Sequence, residues 1–114
     1  MHLQDVPTIS VAELPPDAVL LDVREDAEWQ AGHVDGAVHI PMNEVPQRLS
    51  YDAGPVTPDA HVVVTCKVGG RSAAVTAWLR HQGYDAVNLE GGMLAWDAAG
   101  RPMVAEGDAE PYVY

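Results

Sequence analysis

The residue of this chain best suited to covalent chemistry is Cys66, the only cysteine among 114 residues. Two cations, Lys67 and Arg71, and two adjacent glycines, Gly69 and Gly70, follow it closely. The glycines allow positive φ angles, so successive backbone amides can turn toward one point where the sulfur would lie. Cationic neighbours and a helix N-terminus both lower the pKa of a cysteine. The loop therefore predicts an activated thiolate in a cradle of donors that can hold a small anion.

The competing interpretation of Cys66 is an inert side chain, because a lone cysteine at a strand end is often a small buried hydrophobe. A buried inert cysteine needs no anion-binding turn, and a pure phosphate-binding loop needs no cysteine. The combination favours a reactive thiol. A single cysteine also excludes an internal disulfide, which is typical of a reducing compartment.

A strand and a helix are predicted to position this loop. His61–Cys66 is the clearest strand of the chain, and Arg71–Gln82 is the clearest helix, with Gly83 placed to end it. Val19–Val23 is apolar on both faces, as strands of covered parallel sheets are. The remaining predicted elements are a strand at Thr8 and Ile9, a capping-box turn over residues 10–13, a helix over 25–31, a strand over 37–40, a helix capped by Asn43 and ending at Leu49, a loop over 50–59, a strand over 86–89, and a helix from the Gly91-Gly92 turn to Ala99.

The alternation of strand and helix predicts a single α/β domain over residues 1–114, with about five mostly parallel strands and helices on both faces. The core is expected at about 6–100, and the acidic segment 101–114 is expected to be a disordered tail rather than one that docks on the domain. In such sheets the chemistry lies at the carboxyl ends of the strands, where Cys66 stands. Trp29, Trp78 and Trp96 fall at helical positions where core packing is expected.

The charge balance bears on partners and location. A formal net charge of -11, from 17 acidic and 6 basic residues, argues against nucleic acid or an anionic membrane as a partner. No apolar run is long enough for a membrane helix, and Met1–Asp5 has no features of an export signal, so a cytoplasmic location is expected. The five histidines are scattered, and neither a metal nor a cofactor is expected.

Three segments resemble the signatures of rhodanese domains. The first runs from Leu21 to Glu25, then from Glu28 to Ala37 and from His39 to Pro41. The second is Cys66–Ser72, and the third is Leu89–Trp96. Together they frame roughly residues 6–100. The resemblance implies a three-layer rhodanese-like domain whose cysteine takes sulfane sulfur from a donor such as thiosulfate and passes it to an acceptor. The acceptor would be a thiol, cyanide or another protein.

The resemblance also implies roles for individual residues. Cys66 matches the persulfide-forming cysteine, and the rest of the loop is Lys67, Val68, Gly69, Gly70 and Arg71. Arg71 and Lys67 would engage the anionic donor. Asp22 and Arg24 would mainly bond to each other, and Arg24 is the better candidate for the edge of the pocket. His33 is expected to satisfy a backbone group rather than to act as a base.

Two other functions stay open on the same scaffold. A catalytically silent interaction module is one, although such modules often lack the cysteine or the cations that this loop keeps. A phosphatase or arsenate reductase is the other. The loop resembles the shorter form of the family, whereas relatives that act on phosphate or arsenate resemble a form one residue longer, and no second cysteine is present to resolve an oxidised intermediate.

Overall fold

The computed structural model describes residues 6–114. Its centre is a sheet of five parallel strands, β1 Thr8–Ile9, β2 Val19–Asp22, β3 Val38–His39, β4 His61–Thr65 and β5 Asp85–Leu89, in the order β1-β5-β4-β2-β3. Strand β4 lies in the middle, between β5 and β2, and its three valines are fully buried. A continuous apolar run such as Val62-Val63-Val64 suits a strand that is covered on both faces.

Helices cover both faces of this sheet, which confirms the predicted three-layer α/β class. One buried cluster joins Val62 and Val64 to Val75 and Leu79, and a second joins Val63 to Met93 and Trp96 on the opposite face. The helices are α1 Asp26–Ala31, α2 Val45–Leu49, α3 Gly70–His81 and α4 Gly92–Ala98, with 3-10 turns at Val11–Glu13 and Met42–Glu44. Within residues 6–114, none of the helices is both long and apolar enough to span a bilayer.

The prediction that Asn43 caps the second helix is wrong. Asn43 lies inside the 3-10 turn, and Glu44 occupies the N-cap position of α2. Pro46 stands in the first turn of α2, where its missing N–H costs nothing. Strand β3 is also shorter than predicted, because it pairs only with β2 at the edge of the sheet.

The C-terminal segment is not the disordered tail that was expected, because it packs along α1. His33 and Val104 exchange two backbone hydrogen bonds, of 2.9 and 2.8 Å. Two more tail amides donate to α1 carbonyls, Glu106 to Gln30 at 3.0 Å and Tyr112 to Ala31 at 3.0 Å. The tail therefore holds the C-terminal end of α1.

Candidate functional site

Cys66 lies where β4 ends, at the carboxyl edge of the sheet, and only 1% of its surface is exposed. The backbone N–H of Gly69 donates a hydrogen bond to Cys66 Sγ at 3.1 Å, and the Ser72 hydroxyl lies 3.3 Å from the same sulfur. Gly69 makes this turn at φ 114°, in the left-handed region, and it is the N-cap of α3. The prediction of two positive-φ glycines is wrong in one respect, since Gly70 already belongs to the right-handed helix.

Helix α4 supports the loop from behind. The Met93 N–H donates to the Cys66 carbonyl at 2.8 Å, and the Leu94 N–H donates to the Lys67 carbonyl at 3.1 Å. This approach requires glycine at position 92, because a Cβ there would collide with the Cys66 carbonyl oxygen. The orphan amides of the α4 N-terminus thus fix the loop backbone, which gives the Gly91-Gly92 turn a role in positioning the site.

Ser72 and Asn88 form a polar link beneath the sulfur that the sequence analysis did not find. The single proton of the Ser72 hydroxyl is shared between Cys66 Sγ and Asn88 Oδ1, which lies 2.6 Å from the hydroxyl oxygen. Asn88 Nδ2 donates to the Gly69 carbonyl at 3.3 Å. Both side chains are buried. Asn88 ties β5 to the loop, and the signal that could have revealed it is a polar residue inside a buried apolar strand.

The surroundings of Cys66 favour its thiolate. Burial raises the pKa of the thiol, but hydrogen bonds from the Ser72 hydroxyl and from the amides of Ser72, Gly69 and Val68 outweigh burial, so the pKa is lowered. Hydrogen bonds to the charged form are the source of the shift. The backbone and hydroxyl donors are the largest causes of this lowered pKa, ahead of the two cations on which the sequence prediction relied.

Arg71 is bound to a carboxylate that sequence reasoning missed. Its Nη1 and Nη2 donate to Glu28 Oε1 and Oε2 at 2.7 and 2.9 Å, a bidentate pair between α3 and α1. The pair lowers the pKa of Glu28 and raises that of Arg71. Lys67 forms no ion pair within residues 6–114, and Val68 is exposed. Within the described residues, Lys67 is therefore an unpaired cation of the loop, and Arg71 is a cation paired with a carboxylate.

Comparison with known proteins identifies the family of this chain. A family model described as a rhodanese-like domain matches residues 11–99. The chain belongs to the rhodanese-like domain family. A sulfurtransferase of Allochromatium vinosum is 40% identical over 78% of this chain and 80% of its own. A rhodanese-related protein of Thermoplasma volcanium superposes with a TM-score of 0.79, at 31% identity, over 88% of this chain and 99% of that one. A thiosulfate sulfurtransferase of Pseudomonas aeruginosa superposes with a TM-score of 0.77, at 25% identity, over 91% of this chain and 21% of that one.

Asp22 and Arg24 of this rhodanese-like domain bond to each other, as the sequence analysis favoured. Arg24 Nε and Nη2 donate to the two Asp22 oxygens at 2.9 and 2.7 Å, and Nη2 also donates to the Gly32 carbonyl. The suggestion that Arg24 lines the edge of the pocket is wrong, because its side chain is fully buried and offers no surface to a ligand.

The tryptophans of the rhodanese-like domain have three different environments. Trp96 is buried as predicted, but Trp78 is 36% exposed and lines an apolar groove of about 210 Å³ that contains no loop residue. Trp29 is partly buried and stacks between His33 and His39, at centroid distances of 3.6 and 4.6 Å. His33 Nδ1 bonds the Trp29 carbonyl at 2.7 Å, so it satisfies a backbone group as expected. Among residues 6–114, no three metal-ligating side chains converge.

Proposed function

We propose that this chain is a sulfurtransferase that carries sulfane sulfur as a persulfide on Cys66. The observation that carries the proposal is the pair of donors on Cys66 Sγ, the Gly69 amide and the Ser72 hydroxyl. Donors fixed around one sulfur stabilise negative charge without reorganisation during the reaction. Membership in a family with relatives named sulfurtransferases supports the same chemistry.

The first step uses thiosulfate or a related donor. The Cys66 thiolate attacks the outer sulfur of thiosulfate, the new S–S bond forms, and the S–S bond of the donor breaks as sulfite leaves. The transferred sulfur carries the negative charge. The loop amides, Lys67 and Arg71 are the groups that would stabilise the donor and the persulfide.

The second step returns the enzyme to its starting state. A thiolate, cyanide or a protein thiol attacks the outer sulfur of the persulfide, and the Cys66 thiolate leaves. Attack on the outer sulfur is the productive reaction, because it breaks the S–S bond and transfers that sulfur to the acceptor. A thiol that must stay reduced between turnovers favours a reducing compartment such as the cytoplasm.

Intact mass spectrometry tests the proposal. Incubation with thiosulfate should add the mass of one sulfur atom to the protein, and cyanide should remove it with release of thiocyanate. Cys66→Ser should take up no sulfur while keeping the circular dichroism spectrum of the wild type. A wild type that never gains the added mass from thiosulfate or from a persulfide donor would instead fit a silent interaction module, and sulfur retained by Cys66→Ser would reject Cys66 as the carrier.

A further inference from the structure

Glu28 pairs with Arg71, one of the two cations that follow Cys66. Its carboxylate holds both terminal nitrogens of Arg71, and its residue is only 8% exposed. Arg71 also senses the Cys66 thiolate, which is one of the charges that raise its pKa. An anion arriving at Cys66 therefore meets an arginine that already has a bidentate partner.

We infer that Glu28 determines the donor preference of this site: by occupying Arg71, it disfavours the dianion thiosulfate relative to alkyl persulfides, which carry at most one negative charge. The inference rests on the proposed function, because it concerns the donor that loads Cys66. Glu28 touches neither donor nor sulfur in this arrangement, so it is a specificity-determining residue that acts through Arg71.

Thiosulfate has two ways to use Arg71, and both are unfavourable. It can displace Glu28, which leaves a largely buried carboxylate without its cation. It can also approach while Glu28 stays in place, and then the dianion meets a guanidinium whose charge is already balanced. Glu25 adds a further negative charge, since it is among the groups that raise the pKa of Arg71. Binding of a doubly charged donor beside Arg71 is therefore disfavoured.

An alkyl persulfide avoids this penalty. The Cys66 thiolate attacks the outer sulfur of R–S–S–H, the Cys66–sulfur bond forms, the original S–S bond breaks, and R–S⁻ leaves. The proton stays on the transferred sulfur, so the step balances without another reactant. The leaving thiolate carries one charge on one atom, whereas departing sulfite carries two charges over three oxygens and gains most from a bidentate cation.

Glu28→Gln tests the inference, since the amide keeps an oxygen that can still accept the Glu25 N–H, now 3.0 Å from Glu28 Oε1. Loading of Cys66 is followed with thiosulfate and with 2-hydroxyethyl persulfide as donors. We expect kcat/KM for thiosulfate to rise about 10-fold or more, mainly through KM, because a charge-assisted hydrogen bond becomes available. The rate with the persulfide should change much less. A parallel change with both donors, or no gain with thiosulfate, would overturn the inference.

Asp26→Asn is the matched control, because it removes one negative charge from an exposed position of α1 that has no ion pair within residues 6–114. It should change either rate by less than about 2-fold, as a screened surface charge does. If it raised thiosulfate turnover as much as Glu28→Gln, general charge rather than the Arg71 contact would be responsible.

Equilibrium binding separates this inference from the proposed function. Calorimetry measures thiosulfate affinity in Cys66→Ser and in Cys66→Ser/Glu28→Gln, neither of which can transfer sulfur. The second variant should bind thiosulfate about 10-fold more tightly. Equal affinities would overturn the inference whatever the turnover of the wild type. Tighter binding alongside a wild type that loads no sulfur would reject the proposed function and leave the competition for Arg71 standing.

Discussion

Two arginine–carboxylate pairs at the carboxyl edge of the sheet have the same chemistry and opposite surroundings. The side chains of Arg24 and Asp22 are 0% and 1% exposed, whereas those of Arg71 and Glu28 are 35% and 11% exposed. Both pairs are bidentate, with a shortest distance of 2.7 Å in each. The buried pair is shut off from ligands, and the open pair lies where a ligand can compete for it. Exposure therefore separates a structural ion pair from one that can take part in recognition.

The two pairs should also differ in what they contribute to stability. A charge buried in a protein interior is costly when its partner is removed, because neither water nor another charge replaces that partner. Arg71 keeps access to water through its partly exposed side chain, so an Arg71 without its partner can be rehydrated and the loss of the pair costs less. Asp22 further accepts the backbone N–H of Arg24 at 3.1 Å, so its loss removes more than one bond.

The largest effect is therefore expected for Asp22→Ala. The substitution leaves the Arg24 guanidinium buried without its counter-charge, which typically costs about 3–5 kcal/mol. Urea denaturation monitored by circular dichroism measures the loss. The control is Asp85→Ala, which breaks the exposed pair between Asp85 and His61 and should cost about 1 kcal/mol or less. Similar losses in the two variants would contradict the role assigned to burial.

Local sequence patterns were enough to predict the centre of the molecule. The apolar run before Cys66, the glycines after it and the long helix are contiguous, so short-range spacing predicts strand, loop and helix together. The five-stranded parallel α/β sheet follows from the same alternation of elements. The error at Gly70 is also local: the chain needs only one left-handed residue to turn from β4 into α3.

The partners of the loop could not be predicted in this way. Glu28 and Arg71 are 43 residues apart, and they meet because α1 and α3 begin after the neighbouring parallel strands β2 and β4. Asn88 lies in β5 and Ser72 in α3, and these two side chains also meet only in the folded chain. The tail was misjudged because its contacts are mainly backbone hydrogen bonds to α1, which leave no pattern in an acidic sequence. Short-range patterns predict the nucleophile, and tertiary contacts decide its neighbours.

The second-largest effect is expected when the C-terminal tail is removed. The tail bears on the comparison of the two ion pairs because it packs against α1, which carries Glu28 of the more exposed pair. Gly32 has a φ of 176°, which any residue can adopt, but a Cβ there would collide with the Tyr112 carbonyl. Deleting residues 103–114 removes four backbone hydrogen bonds and the packing of Met103 and Val113. We expect a loss of about 2–4 kcal/mol, measured as a lower melting temperature.

Gly32→Ala tests whether the contact between the tail and Gly32, rather than the shortening of the chain itself, accounts for the lost stability. In the full chain the substitution should be destabilising by about 1–3 kcal/mol, because it forces the tail backbone away from α1. In the chain deleted of 103–114 the same substitution should cost much less, since the colliding carbonyl is gone. Equal costs in the two backgrounds would mean that the tail does not pack on Gly32 in solution.

The smallest effect is the pH dependence of the open pair. The Arg71 hydrogen bonds hold the pKa of Glu28 below its ordinary value of 4.5, against the opposing effect of burial. A carboxyl whose pKa is lower in the folded state binds more protons when unfolded, so its stabilising contribution is complete above about pH 4.5 and is lost as the pH falls further. Glu28→Gln should therefore be less stable than the wild type by about 1 kcal/mol at neutral pH, and the difference should shrink toward pH 3.

Chemical denaturation at a series of pH values measures this difference in stability, with Asp26→Asn as the control that lacks the pair. A stability difference that stays constant from neutral to acid pH would mean that Glu28 contributes through packing and not through its charge on Arg71.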